Sequence, residues 1–208
     1  MSPLLKPSLL SQRQIKELVA FAEAEYNLQD FDHTLDHVEL TVAIAGYLAS
    51  KEGADVEVCV VSAYLHDIAK NSSQEHAKVG AEEAKAFLKQ IQAPDPFIDQ
   101  VCYAISQHDN DLPKRTKEAE VLWDADKLQS IGPLGFARVF GYRMVYDKRQ
   151  VYGAVEKARE YTDFFYDRFY TKTGREIAQS LRSSMREFYR LYDAVVSVKF
   201  DQLLEGRD

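Results

Sequence analysis

The chain is poor in the residues that mark disorder, disulfide scaffolds and membrane spans. Its 208 residues include nine glycines, six prolines and two cysteines, too few for a low-complexity or disulfide-rich chain. Cys59 and Cys102 lie in apolar segments outside any C-x-x-C pair, so we expect buried free thiols. No apolar run approaches the roughly 20 residues that a membrane span needs. We therefore expect a soluble, single-domain globular protein.

Basic side chains are fewer than acidic ones, 26 against 33, and no histidine follows position 108. The net charge of −7 argues against a surface that follows nucleic-acid backbones, so we expect no nucleic-acid partner. The first ten residues lack a charged segment followed by an apolar one, which predicts no signal peptide and a cytoplasmic location. The confinement of all five histidines to the first 108 residues suggests a shared role.

Apolar residues recur at helical spacing along the chain, and no segment alternates like a strand, so we predict an all-α fold. The first helix opens at Ser11, which forms a capping box with Gln14; a second box, Ser72 with Glu75, opens a later helix. The predicted helices after the first cover residues 34–51, 56–69, 72–91, 97–107, 118–128 and 136–146. Two long amphipathic helices follow within 151–204 and divide near Thr173 and Gly174.

The most informative stretch is 58–70, an apolar run that ends in His66 and Asp67. Ionisable groups rarely enter a core unless they are paired, hydrogen-bonded or bound to a metal. His37 and Asp126 lie on or beside other apolar helices. Each alone has an ordinary explanation, a core histidine or a solvated acid. Together the four supply the three or four ligands that a catalytic divalent ion needs.

These residues, in this order, resemble the HD superfamily of metal-dependent phosphohydrolases. The motifs that carry the resemblance are H-x-x-x-H-V at 33–38, E-G-A-D at 52–55, H-D-I-x-K at 66–70, H-x-x-x-G-A at 76–81, A-I-x-x-H at 104–108, D-A-D-K-L at 124–128 and I-G-P-L-G-F-A-R at 131–138, with a weaker match at 173–178. The resemblance implies one HD-type helical bundle, with a metal-site core at about 30–140. The C-terminal helices, about 150–205, would complete the core, close over the site or form a homodimer contact.

The resemblance also implies a role for each matching residue. The first metal would be bound by His37, His66, Asp67 and Asp126, with Asp124 a less favoured ligand behind them. Asp67 would also hold or deprotonate the attacking water, and Lys70 would pair with a phosphate oxygen. His76 and His108 would complete a second metal site or face the substrate. Weaker candidates for substrate contacts are His33, Arg115 and Arg138.

The implied activity is hydrolysis of a phosphate ester or anhydride bond in a nucleotide or related small phosphorylated compound. The cofactor would be one or two divalent ions, Mn²⁺, Fe²⁺, Mg²⁺ or Zn²⁺, that activate water. Two alternatives stay open, a di-iron oxygenase built from the same ligand types and a non-catalytic module that senses a nucleotide. The fold alone does not choose among them.

Overall fold

The computed structural model describes residues 8–26, 35–72, 75–110, 113–114 and 116–199. Regular structure in these residues is entirely helical, which confirms the all-α prediction. The helices are α1 Gln12–Tyr26, α2 Leu35–Glu52, α3 Val56–Leu65, α4 His76–Gln90, α5 Asp95–Gln107, α6 Lys117–Lys127, α7 Gly132–Val145, α8 Val151–Phe165 and α9 Lys172–Val196, with a short 3-10 turn at Leu128–Ser130. None of the described helices is long and apolar enough to cross a membrane.

Side-chain caps fix the starts of α1 and α3. The capping box at α1 is confirmed, because Ser11 N donates to Gln14 Oε1 at 2.8 Å while Gln14 N donates to Ser11 Oγ at 3.4 Å. Asp55 caps α3 by accepting from the backbone of the first turn. The second predicted box is wrong, since α4 begins at His76 and its N-cap, Glu75, makes no side-chain cap hydrogen bond.

Prolines lie at the starts of two helices. Pro94 is the N-cap of α5, and Pro96 lies in its first turn; α7 likewise has a proline in its first turn. A first turn accepts proline because its N–H groups need no partner within the helix. The two predicted C-terminal helices are observed as α8 and α9, but they divide at residues 166–171, so Thr173 and Gly174 lie in the first turn of α9.

The predicted helix over 56–69 is shorter than expected. α3 ends at Leu65, and residues 66–71 form tight turns. Most of the helix is buried from Val58 onward, with Val60 and Tyr64 partly buried, but Val56 is 45% exposed. Gly80 of α4 packs against the turns, where an added Cβ would lie 3.6 Å from the carbonyl oxygen of His66. A small residue here lets α4 approach the His66-Asp67 pair closely.

The described chain divides into two compact units. The first comprises the described residues up to Lys127 together with Phe169–Gly174; the second comprises Leu128–Arg168 and the described residues from Arg175 onward. The core of the first unit comes from α1 to α5. That of the second includes Val155, Met185 and Tyr189. The expectation of one domain stays a prediction. Both cysteines, in the first unit, are free thiols; Cys59 is buried and Cys102 half-buried.

Candidate metal centre

Three buried side chains from separate elements form a first cluster. His37 lies on α2, His66 follows α3, and Asp126 lies near the end of α6; their ligand atoms all lie within 4.8 Å of one another. His37 Nε2 is 3.4 Å from Asp126 Oδ1. Ligands held at about 2.0–2.2 Å from one ion lie roughly 2.8–3.6 Å apart at the angles of common coordination geometries. The spacing therefore suits a shared ion.

His66 is oriented with one ring nitrogen facing this cluster. Its Nδ1 lies 2.8 Å from the carbonyl oxygen of Ala63, and because a carbonyl oxygen only accepts, Nδ1 carries the proton. Burial lowers the pKa of His66 to about 4, although Asp67 and Asp126 oppose the shift. The neutral ring thus presents its lone pair at Nε2. That atom is buried without a hydrogen-bond partner among the described residues, and such an orphaned acceptor fits a bound cation.

A second cluster adjoins the first and consists of Asp67, His76 and His108. His108 Nδ1 donates to the carbonyl oxygen of Ile105 at 2.7 Å, so Nε2 of the neutral ring is also an acceptor. This acceptor, His108 Nε2, lies 3.1 Å from another acceptor, Asp67 Oδ1. His76 Nε2 lies 3.5 Å from the same oxygen. Two acceptors at this distance need a proton or a cation between them, so the second cluster also fits a metal.

Asp67 belongs to both clusters through its two oxygens. Oδ2 is 3.4 Å from His66 Nε2, whereas Oδ1 faces His76 and His108. Burial alone would raise the pKa of this carboxyl, but the adjoining imidazoles of His66, His108 and His76 outweigh burial and hold the pKa well below its usual range. The carboxylate is therefore ionised and can bridge two cations.

Four neighbours surround these clusters. Lys70 Nζ lies 3.3 Å from His76 Nε2 and 3.8 Å from Asp67 Oδ1, as the H-D-I-x-K spacing predicted. Three others were not predicted. The backbone N–H of Asp67 donates to Tyr26 Oη at 3.1 Å, Asp109 Oδ2 lies 3.4 Å from His76 Nε2, and Lys127 Nζ lies 2.7 Å from Asp126 Oδ2. Asp109 and Lys127 directly follow the predicted residues His108 and Asp126 in sequence, and this adjacency could have identified them. No sequence feature marks Tyr26.

Asp124 faces away from the ligands and holds a different part of the first unit. It accepts hydrogen bonds from Tyr170 N at 2.9 Å, Thr171 N at 2.8 Å and Thr171 Oγ1 at 2.6 Å. Burial raises the pKa of Asp124 to about 6, against these hydrogen bonds. Its contacts are those of a structural acid that anchors the start of α9.

Three predicted substrate contacts are not among the six residues of the two clusters. His33 and Arg115 lie outside the described residues. Arg138 lies on α7, in the second unit. Their roles as substrate contacts stay predictions.

Comparison with known protein families identifies the part of the chain that contains the two clusters. The HD domain family matches residues 34–131, a range that contains all six cluster residues. Residues 34–131 are an HD domain. HD domains bind divalent metals, in agreement with the donor sets described above.

Relatives extend the likeness beyond the HD domain. The protein YpgQ of Bacillus subtilis is 25% identical over 190 residues, which are 86% of this chain and 91% of YpgQ. Ribonuclease Y of Thermobifida fusca is 31% identical over 122 residues, or 56% of this chain, but the match spans only 23% of ribonuclease Y. This chain thus matches less than a quarter of the length of that longer enzyme.

Solved structures agree with the helical HD fold. A predicted HD superfamily hydrolase from an uncultured Thermotogales bacterium superposes with a TM-score of 0.68 at 26% identity, covering 87% of this chain and 92% of that one. Crystalline YpgQ in complex with ADP gives a TM-score of 0.73 at 22% identity, covering 87% and 94%. The chain thus has the fold of HD superfamily hydrolases.

Proposed function

We propose that this protein is a metal-dependent phosphohydrolase that cleaves a phosphoester or phosphoanhydride bond of a nucleotide or related small phosphorylated compound. One observation carries the proposal. Two clusters of histidine and aspartate, each able to hold a divalent ion, meet at the buried carboxylate of Asp67. Such paired sites suit in-line displacement at phosphorus, where both the attacking and the leaving oxygen need positive charge nearby.

The first ion would be held by His37, His66, Asp126 and Oδ2 of Asp67. The second would be held by Oδ1 of Asp67 with His76 and His108. When bound, divalent ions neutralise charge on phosphoryl oxygens and lower the pKa of a coordinated water towards neutrality. The mixed imidazole and carboxylate donors suit Mn²⁺ and Fe²⁺, and also accept Zn²⁺ or Mg²⁺.

The protein groups around the clusters would orient the reactants. Because its pKa is held low, Asp67 acts as a hydrogen-bond acceptor that orients the attacking water, and it is a weak base. The side chain of Lys70 is 27% exposed, so its ammonium can reach a phosphate oxygen from the rim. The nearly complete burial of His66 and His108 keeps bulk water from competing for the donors.

The choice of a nucleotide rests on a relative. YpgQ has been crystallised with ADP, and it covers most of this chain. Ribonuclease Y, by its name, acts on RNA, but the match spans only 23% of that enzyme, and the net charge of this chain is −7. A small nucleotide is therefore favoured over a polynucleotide.

The test is a product-resolved hydrolysis panel. Chelator-treated protein is reloaded with Mn²⁺, Mg²⁺, Fe²⁺ or Zn²⁺ and offered nucleoside mono-, di- and triphosphates, cyclic nucleotides, dinucleotides and a short single-stranded RNA. Chromatography then separates phosphate, pyrophosphate and nucleotide products. His66→Ala should abolish turnover, whereas Lys78→Ala, which removes an exposed lysine of α4, should not. Turnover that survives in His66→Ala would refute the assignment of the site.

The two clusters also permit a di-iron oxygenase, because the same donors bind iron. Oxygen decides between the reactions. Hydrolysis predicts equal turnover in anaerobic buffer and activity with redox-inert Mg²⁺ or Zn²⁺. Turnover that requires both iron and O₂ would replace the hydrolase assignment with the oxygenase. Nucleotide binding without turnover under any condition would instead identify a sensor.

A further inference from the structure

The carboxylate of Asp126 is divided between the first cluster and a lysine. Its Oδ1 faces His37 Nε2 at 3.4 Å, while its Oδ2 lies 2.7 Å from Lys127 Nζ. Both side chains are largely buried, with 11% of Asp126 and 14% of Lys127 exposed. The lysine and the cluster thus take different oxygens of one buried carboxylate.

This contact is unusual for neighbours on a helix. Successive helical residues point about 100° apart, so residues i and i+1 do not normally face each other. Two further contacts hold the ammonium in place. Lys127 Nζ lies 5.4 Å from the ring centroid of Trp123, one turn earlier on α6, and 4.0 Å from Asp109 Oδ1. The ring and the second carboxylate draw the lysine towards the cluster.

From this geometry we infer that Lys127 is a positioning residue that turns Asp126 so that only Oδ1 is offered to the first metal. The inference rests on the proposed metal site and goes beyond it. The terminal torsion of an aspartate is broad, so the carboxylate needs a partner to fix it. Binding through both oxygens would break the 2.7 Å contact with Lys127. Without the ammonium, Oδ2 would also be a buried anionic oxygen lacking its cation.

The expected effect is on metal affinity. Residues that orient ligands typically change metal affinity by about 10- to 100-fold when mutated. Lys127→Met should therefore weaken Mn²⁺ binding at the first cluster by about that factor. Lys127→Arg, which keeps a cation within reach of Oδ2, should restore most of the affinity. Lys78→Met makes the same change of charge at an exposed position of α4 and should leave the affinity unchanged.

The experiment is a calorimetric Mn²⁺ titration of the chelator-treated 208-residue chain and its variants. His66→Ala and His108→Ala assign the binding steps to the first and second cluster. Circular dichroism checks that each variant is folded. Lys127→Gln, which keeps a hydrogen-bond donor but no charge, replaces Lys127→Met if the latter does not fold. Absorption of Co²⁺-loaded protein gives a second readout, since a change from one to two bound oxygens alters the coordination number and hence the spectrum.

The outcomes separate this inference from the proposed reaction. Weakened binding in the neutral variants, with recovery in Lys127→Arg and an altered Co²⁺ spectrum, supports the positioning role. A folded neutral variant that binds Mn²⁺ as tightly as the unmutated chain overturns it. Should the chain bind Mn²⁺ but hydrolyse nothing, the reaction fails while these affinities still decide the role of Lys127. Absence of Mn²⁺ binding in the unmutated chain overturns the inference together with the metal site.

Discussion

Gly174 should be far less tolerant of alanine than its position in a helix implies. It lies in the first turn of α9, and a Cβ added there would lie 2.3 Å from Asp124 Oδ2 and 2.8 Å from Thr171 Oγ1. Ordinary contact begins at about 3.4 Å, so Asp124 Oδ2 would have to move by about 1.1 Å and Thr171 Oγ1 by about 0.6 Å. They belong to the buried group of hydrogen bonds that anchors the start of α9.

The magnitude follows from the bonds at risk. Asp124 Oδ2 accepts two hydrogen bonds from Thr171, and a hydrogen bond to a charged group contributes about 1.5–3 kcal/mol. The higher helix propensity of alanine relative to glycine offsets at most about 1 kcal/mol of this loss. Loss of both bonds therefore predicts that Gly174→Ala lowers the free energy of unfolding by about 2–5 kcal/mol.

Gly46 supplies the matched control within the same unit. It lies inside α2, and its added Cβ would meet only Val60 Cγ2, at an ordinary 3.6 Å. Gly46→Ala should therefore stabilise the unit by about 0.5–1 kcal/mol. The same substitution is thus expected to have opposite signs at the two positions, because only Gly174 has a buried carboxylate in the space of its Cβ.

Urea unfolding followed by tryptophan fluorescence measures both variants. The chain has one tryptophan, Trp123, which is buried in the first unit, so its emission reports the unit that contains both glycines. The midpoint should fall for Gly174→Ala and rise for Gly46→Ala. Equal stability of Gly174→Ala and the unmutated chain would refute the claim that the contact with Asp124 fixes the start of α9.

Two other predictions concern the clusters. Tyr26→Phe removes the hydroxyl that accepts from the Asp67 N–H and should destabilise the protein by about 1–3 kcal/mol, since the buried N–H loses this acceptor. The control, Tyr47→Phe at a half-exposed position, should have little effect in the same urea assay. Equal midpoints for both variants would contradict the role of Tyr26. The pKa of His66 is lowered from 6.5 to about 4, chiefly by burial. Because the unfolded chain binds a proton at this residue more readily, the contribution of neutral His66 to the free energy of unfolding is fully present above pH 6.5. This contribution is lost as the pH falls towards 4. In metal-free protein the difference in free energy of unfolding between the unmutated chain and His66→Gln should accordingly shrink by about 3 kcal/mol from pH 7 to pH 4. A difference that does not change with pH would contradict the lowering of the His66 pKa by burial. Asp124, whose pKa is raised, acts in the opposite direction but is common to both proteins.

The sequence was sufficient for features that depend on local pattern. Helical periodicity identified the helices, and most predicted boundaries differ from those observed by only one or two residues. The errors occur where two local signals compete. At α5 the predicted start, Phe97, is two residues late because a first turn accepts proline, and at α4 the S-x-x-E spacing predicted a cap that the chain does not form.

The same local reasoning identified the donors of the candidate site. An ionisable pair at the end of an apolar run predicted burial, and His66 and Asp67 are both buried. Lys70 also lies beside Asp67 as the motif spacing predicted, although a turn rather than a helical face brings them together, with Lys70 N donating to Asp67 O at 3.0 Å. Their assignment to metal and to catalysis stays a prediction that the titrations and the hydrolysis panel test.

Only the tertiary structure decided how these residues divide their contacts. A sequence shows two aspartates in D-A-D, but it does not show that Asp126 faces His37 while Asp124 accepts from Thr171, 47 residues later. Nor does it show that the end of α1 brings Tyr26 to the backbone of Asp67. Composition and periodicity determine which residues are buried, because burial of apolar surface depends on local pattern. Which oxygen meets which partner depends on distances between elements far apart in the chain, and these are set by packing.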